Sequence, residues 1–341
     1  MIRPGPRNLI TDVDGILVGN AEDQRARTGV TVVLPEERCV ASGEVRGAAP
    51  GTRETDLLDP TCRMERIDGI CLSGGSVHGL ASGDAVVRWL HEQGRGFALN
   101  SDFLPIVPGA IIYDLSMGGE KDWGRCPDHG ALARAACGDA GLDFALGNIG
   151  AGMGASAGAL KAGLGSASAV DDDGIQVAAL VVANPFGAAT MPGGGTLWSW
   201  ALERDVEMGG QLPPGAVNTL ADDTPTDGQL GGNTTLAVVA TNVTLDKAQA
   251  KRVAIMAHDG MARAIRPIHT PFDGDVVFAL STTRIPLPEP AIGSLARIGA
   301  LAADCLSRAI GRSVFAAEAL GPFSSYRESH PEAFADGGDL G

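Results

Sequence analysis

A threonine opening an apolar, β-branched run, just behind a polar glycine-rich stretch, is the feature of this sequence with the most chemistry in it. The junction reads Gly231-Gly232-Asn233-Thr234-Thr235 and continues into LAVVATNV. If the bond between Asn233 and Thr234 is cut, Thr234 gains an α-amine whose ordinary pKa is about 7.7–8.0. That amine sits on the carbon next to the one bearing the hydroxyl, so it can take the Oγ proton directly or through one water. One residue then supplies both nucleophile and base, the threonine form of an activated nucleophile. The cut needs only Thr234 Oγ attacking the Asn233 carbonyl, an N-to-O acyl shift, followed by hydrolysis of the ester. A bland reading competes with this one: an ordinary loop-to-strand junction has the same composition.

Two further groups could serve such a nucleophile. Asp273-Gly274-Asp275 places two carboxylates two residues apart at the mouth of an expected strand, on one side of the chain. Held that close, they raise one pKa, and a cation beside them would counter the effect. Their functional reading is to orient the Thr234 amine and tune its protonation; the alternative is a turn with solvated acids. Asn184 closes an apolar stretch just before Pro185, where its amide could donate to an oxyanion or cap its own turn. Other patterns fail. Gly150-Ala151-Gly152-Met153-Gly154 is no complete dinucleotide fingerprint, Lys161 lacks the Ser or Thr of a phosphate loop, and His78 occupies the second glycine position of a nucleophile elbow. The six histidines form no HExxH or close pair, and the six cysteines no CxxC, so neither a metal nor any other cofactor is expected. His78 and His269 read as satisfied or supporting residues.

These residues need elements to hold them. Strands are expected at Gly29–Leu34, Gly69–Leu72, Ile111–Leu115, Gln176–Ala183, Thr235–Val243 and Asp275–Ser281, and helices from Ser73 to His91, Pro127 to Cys137, Asp246 to Ile265 and Glu289 to Ile310. Gly147 to Val170 holds so many glycines that it reads as a backbone-lined loop. Glu207 to Gly232 reads as an exposed, cleavable linker. Strands and helices interleave, which gives an α/β or α+β layered class. The 341 residues include 48 Gly but only 4% aromatics, so the core must be built from small and aliphatic side chains. A net charge of −15 argues against nucleic acid and anionic lipid as partners. The lack of a signal-like start or a long apolar run points to no membrane partner and to a cytoplasmic protein.

Taken in order, SGGSVHGL (from Ser73), IIYDL (from Ile111), GAGMGASAG (from Gly150), KAGLGSAS (from Lys161), VVANPFG (from Val181), GGNTTLAVVATNV (from Gly231) and IRPIHTPFDGDVVFALST (from Ile265) resemble the DmpA-type peptidase family over nearly the whole chain. That family shares its fold with ornithine acetyltransferase and includes aminopeptidases and the 6-aminohexanoate (nylon) oligomer hydrolase; the two aspartates, 39 and 41 residues after Thr234, match the latter's pattern. The resemblance implies a four-layer αββα sandwich forming a single catalytic domain, 1–341, cut into 1–233 and 234–341. It implies Thr234 as nucleophile, Asn184 at the oxyanion hole, Tyr113 lining the site, and Asp273 and Asp275 as its acids. Where the family has Gly-Lys after its glycine-rich loop, this chain has Gly158-Ala159; Lys161 either substitutes for that lysine or matches only a structural one. The implied activity is amide hydrolysis of a small peptide or oligoamide by a homo-oligomer, a tetramer by family habit. Acyl transfer to an amine, as in ornithine acetyltransferase, is the alternative, and an unprocessed, non-enzymatic homologue a third.

Overall fold

The computed structural model describes residues 1–121, 128–214, 232–333 and 335. In chain order the strands are β1 (Ile2–Arg3), β2 (Ile16–Asp23), β3 (Thr28–Pro35), β4 (Cys39–Val45), β5 (Thr52–Arg53), β6 (Arg66–Ile67) and β7 (Ile70–Ser73). Next come β8 (Phe97–Leu99), β9 (Asp102–Leu104), β10 (Gly109–Ile111), β11 (Ser156–Ala157) and β12 (Leu160–Lys161). The last four are β13 (Leu164–Asp171), β14 (Gln176–Asn184), β15 (Thr234–Val243) and β16 (Val276–Ile285). The longer helices are α1 (Ser82–Glu92), α2 (His129–Asp139), α3 (Lys247–Ala264) and α4 (Ala291–Phe315).

One sheet has seven strands in the order β1-β13-β14-β15-β16-β4-β6; the other has five, β2-β3-β7-β10-β5. The period of two along the central strands divides their side chains between two cores. Val177, Ala179 and Val181 of β14, Ala237 and Val239 of β15, and Val277 and Ala279 of β16 pack with α3 and α4. The alternate residues, Leu180, Val182, Leu236, Val238, Val276 and Phe278, meet Val33, Ile70 and Leu72 of the second sheet. That sheet's outer face, through Val30, Val32 and Cys71, receives Val86 and Leu90 of α1 and Ala133 and Ala136 of α2. Helices, sheet, sheet, helices: the four-layer αββα arrangement is present. The strands are buried on both faces, which is why they read as unbroken apolar runs.

Several expected elements shift. The glycine-rich stretch 147–170 is not one loop: its second half is β13, paired antiparallel with β14 from Leu164↔Val182 to Val170↔Gln176. Gly165 is needed there for close approach rather than for a turn, because a Cβ on it would lie 2.0 Å from the Ala309 carbonyl oxygen of α4. The strand expected over Ile111–Leu115 is Gly109–Ile111, followed at Leu115–Met117 by a 3-10 turn. Ser76–Ala81 is likewise a 3-10 turn before α1. Helix α3 starts as expected, since Asp246 accepts from the Gln249 N–H at 2.7 Å and Gln249 Oε1 accepts from the Asp246 N–H at 2.9 Å.

The expected linker starts too early. Glu203 accepts N–H bonds from Met208, Gly210 and Gln211, and the Glu207 carboxylate is buried against Arg308 of α4 at 2.6 Å. The rest of that expectation, residues 215–231, lies outside the described residues. Of the described residues, no helix is long and apolar enough to cross a membrane, and no group of three or more His, Cys, Asp or Glu could hold a metal.

Candidate active site

Thr234 is the first residue of β15 and is buried. Its Oγ1 donates to the carbonyl oxygen of Asn233, at 2.5 Å. The same oxygen accepts the Gly274 N–H at 3.0 Å, part of a parallel bridge between Asn233 and Asp273. The hydroxyl and a backbone donor therefore meet at the carbonyl that an N-to-O shift would attack. Gly274 fits because it lacks a side chain: a Cβ there would stand 2.6 Å from Ala49 O and 2.8 Å from Thr234 Oγ1.

Asn184, the last residue of β14, is the direct antiparallel partner of Thr234. Its side chain is buried and oriented from both ends: Oδ1 accepts the Ser156 N–H at 3.0 Å, and Nδ2 donates to Tyr113 O at 3.2 Å. An amide nitrogen carries two hydrogens, and among the described residues only one of them is engaged. Tyr113 enters the site through this carbonyl and is only partly buried.

The two acids stand just before β16 and grip different partners. Asp273 accepts from the Phe186 N–H (2.9 Å), the Thr270 N–H (3.0 Å) and Thr270 Oγ1 (2.5 Å). Burial, and then the neighbouring Asp275 charge, push its pKa up, against the pull of those bonds. Asp275 Oδ1 accepts the Thr235 N–H at 2.7 Å, one residue past the candidate nucleophile, while Oδ2 accepts from the His269 N–H and Nδ1 at 3.1 and 2.7 Å. The described hydrogen bonds of the pair thus go to Thr235, Thr270, Phe186 and His269, not to Thr234 itself. Asp273, Asp275, Asn184, Thr234 and the Tyr113 carbonyl converge on one end of the central sheet.

Lys161 sits elsewhere in the same neighbourhood. Its ammonium is fully buried and donates to the carbonyls of Gly152 (3.3 Å) and Ala162. Burial lowers its pKa from 10.5 to about 7, and the carboxylate opposing that shift is Asp114, not the aspartate pair. Its link to the site runs through the β11–β12 hairpin, where Lys161 pairs with Ser156, the residue Asn184 holds. His78 is exposed on the 3-10 turn before α1.

Three features of the site carry little signature in the sequence. The stretch after β4 lies along the aspartates: Gly47 N–H reaches Asp275 O at 3.1 Å and Ala49 N–H reaches Asp273 O at 2.9 Å. Phe186 and Phe272 pack at 4.9 Å between centroids, beside Asp273. A backbone donor such as the Gly274 amide leaves no residue-type signal; its trace in the sequence is glycine between two acids.

A double-sheet sandwich with a hydroxyl residue at the start of a central strand has the frame of an N-terminal nucleophile hydrolase. The beta-aminopeptidase of Burkholderia sp. superposes with a TM-score of 0.71 at 22% identity, over 96% of this chain and 92% of that one. The L-aminopeptidase D-Ala-esterase/amidase of Ochrobactrum anthropi, described as a variant of the Ntn hydrolase fold, superposes with a TM-score of 0.69 at 22% identity, over 97% and 96%. These two establish the fold. The chain belongs to peptidase family S58, whose model matches residues 8–326. An uncharacterized aminopeptidase of Mycobacterium tuberculosis is 43% identical over 96% of this chain and 99% of its own length. The 6-aminohexanoate-oligomer endohydrolase of a Kocuria species is 30% identical over 90% and 86%. The protein is an S58-family hydrolase of amide bonds, built on the Ntn hydrolase fold.

Proposed function

We propose that the chain cuts itself between Asn233 and Thr234 and then hydrolyses peptides or linear oligoamides through an acyl-Thr234 ester. The observation that carries this reading is the Asn233 carbonyl oxygen, met by Thr234 Oγ1 at 2.5 Å and by the Gly274 N–H at 3.0 Å. In maturation Oγ bonds to the Asn233 carbonyl carbon and its proton passes to the departing Thr234 nitrogen. The C–N bond breaks, the acyl group rests on oxygen, and water cleaves that ester. The products are the Asn233 carboxylate and the Thr234 amine. In turnover the amine takes the Oγ proton as Oγ attacks the substrate carbonyl, with an Asn184 N–H on the oxyanion. The leaving amine departs with the proton, and water releases the acid. Asp275 holds the strand start through the Thr235 N–H, while Asp273, its pKa raised by burial, braces the neighbouring turn through Thr270 and Phe186.

Names of relatives supply the substrate class: aminopeptidase at 43% identity and 6-aminohexanoate-oligomer endohydrolase at 30%. Cleavage of an amino-acid p-nitroanilide would support exo action; cleavage of a blocked oligoamide alone would support endo action. A homo-oligomer, tetrameric by family resemblance, and a cytoplasmic setting complete the proposal, with light scattering after size exclusion as the test of the former. Maturation has a simple test. A Thr234→Ala chain should stay a single 34.8 kDa band on a denaturing gel and be inactive; normal processing of that chain would end the proposal.

A further inference from the structure

Asp275 is held by three donors among the described residues, and two belong to His269. The residue's own N–H and its ring Nδ1 both meet Oδ2, at 3.1 and 2.7 Å, leaving Oδ1 for the Thr235 N–H at 2.7 Å. A carboxylate accepts from Nδ1 only when that nitrogen carries the proton. His269 Nε2 is buried and has no hydrogen-bond partner among the described residues, which suits the Nδ1–H tautomer. The backbone is committed to the contact as well, since His269 takes the left-handed conformation, φ 57°, that few non-glycine residues adopt. Behind its ring stands His258 of α3, centroids 4.8 Å apart and edge-on, anchored through Nε2 to Glu44 O at 3.0 Å. Burial lowers the His258 pKa to about 4, so an uncharged ring forms that wall at neutral pH.

We propose that His269 is a positioning residue for this site: its Nδ1–H fixes the Asp275 carboxylate in the one orientation that lets Oδ1 hold Thr235, and so sets where Thr234 Oγ stands. Lys161, engaged with backbone carbonyls, is not placed to do this. The proposal rests on Thr234 being the nucleophile. His269 reaches the chemistry only through Asp275 and Thr235; it touches no reacting atom.

The test exploits which nitrogen donates. In the full chain, His269→Asn presents an N–H near the Nδ1 position and His269→Gln near the Nε2 position. Self-cleavage after a pulse of cell-free translation, followed on denaturing gels, needs no external substrate. An amino-acid p-nitroanilide supplies kcat and KM for the cut enzyme. The Asn chain should mature within about threefold of wild type. The Gln chain should be tenfold or more slower in cleavage and kcat, at nearly constant KM, the order expected for losing a partner that orients an active group. Equal rates in the Asn and Gln chains overturn the proposal. So does a folded Asn chain as slow as His269→Ala, with melting temperature as the check on folding. Thr234→Ala separates the two levels. Cleavage or activity without Thr234 removes the nucleophile reading, whereas equal Asn and Gln rates in a Thr234-dependent chain remove only the role of His269.

Discussion

Gly274→Ala should slow maturation about 10²–10³-fold without unfolding the protein. The added Cβ would stand 2.6 Å from Ala49 O, 2.8 Å from Thr234 Oγ1 and 3.1 Å from Pro50 Cα, where ordinary contact begins at 3.4 Å. Ala49 cannot simply withdraw, because its N–H is bonded to Asp273 O at 2.9 Å. The 274 backbone must therefore move by about 0.8 Å (3.4 less 2.6). Relief of the contact with Thr234 Oγ1 draws residue 274 back from the Thr234 side, and a shift of that size lengthens the present 3.0 Å Gly274–Asn233 bond to at most about 3.8 Å, outside hydrogen-bonding range. Losing one preorganised oxyanion donor costs about 10²–10³ in rate, roughly 2.7–4 kcal/mol of barrier. Overpacking costs about 1–3 kcal/mol of stability, which a domain with a reserve of roughly 5–15 kcal/mol survives. Pulse-chase cell-free translation would measure the half-time of the single band, and a melting curve would show that the variant folds. Maturation of a folded Gly274→Ala chain at the wild-type rate would falsify the assignment of this amide.

Asn184→Ala should separate the two reactions: turnover falls about 10²–10³-fold, while self-cleavage, whose oxygen is held by Gly274, falls by less than tenfold on the same gels. Lys161→Met should raise the melting temperature, and more at pH 6 than at pH 9. Its folded pKa of about 7 lies below the unfolded 10.5, so the folded state binds fewer protons and loses stability as pH falls from 10.5 to 7; a gain that grows toward alkaline pH would contradict the burial of that ammonium. Arg308→Ala leaves the buried Glu207 with Arg312 at 3.7 Å as its one cation among the described residues, beside the neutral donors Asn8 Nδ2 and Arg204 N–H, and should cost about 3 kcal/mol in urea unfolding, the low end for breaking a buried pair.

Much of the candidate site was legible because the proposed nucleophile, acids and amide lie on or beside strands whose apolar runs are unmistakable, β14, β15 and β16. Long-range burial writes itself into local sequence there, and Asn184 and Thr234 each stand at the end of such a run. Glycine misled the reading of 147–170. In isolation a glycine-rich segment disfavours regular structure, but β13 uses Gly165 to admit the α4 backbone, a tertiary demand with no local signature. The stretch from Gly47 to Pro50, Gly-Ala-Ala-Pro, has only small apolar residues with no periodicity, so nothing in it announces that it borders Thr234. His269 stands six residues before Asp275, a spacing that suggests no pairing until its left-handed turn folds the ring back.

The sheet order carries one more consequence. The strands beyond the proposed cut, β15 and β16, lie between β14 and β4, which come from before it. Once the bond opens, the smaller piece is threaded into the middle of the larger one's sheet, clasped along both borders. Melting then becomes the parting of two molecules, and recovery requires a second-order encounter that dilution weakens. The uncut chain would have a unimolecular route back after a heat pulse and the cut protein only a bimolecular one, so in dilute solution its lifetime would be set by how slowly it first comes apart.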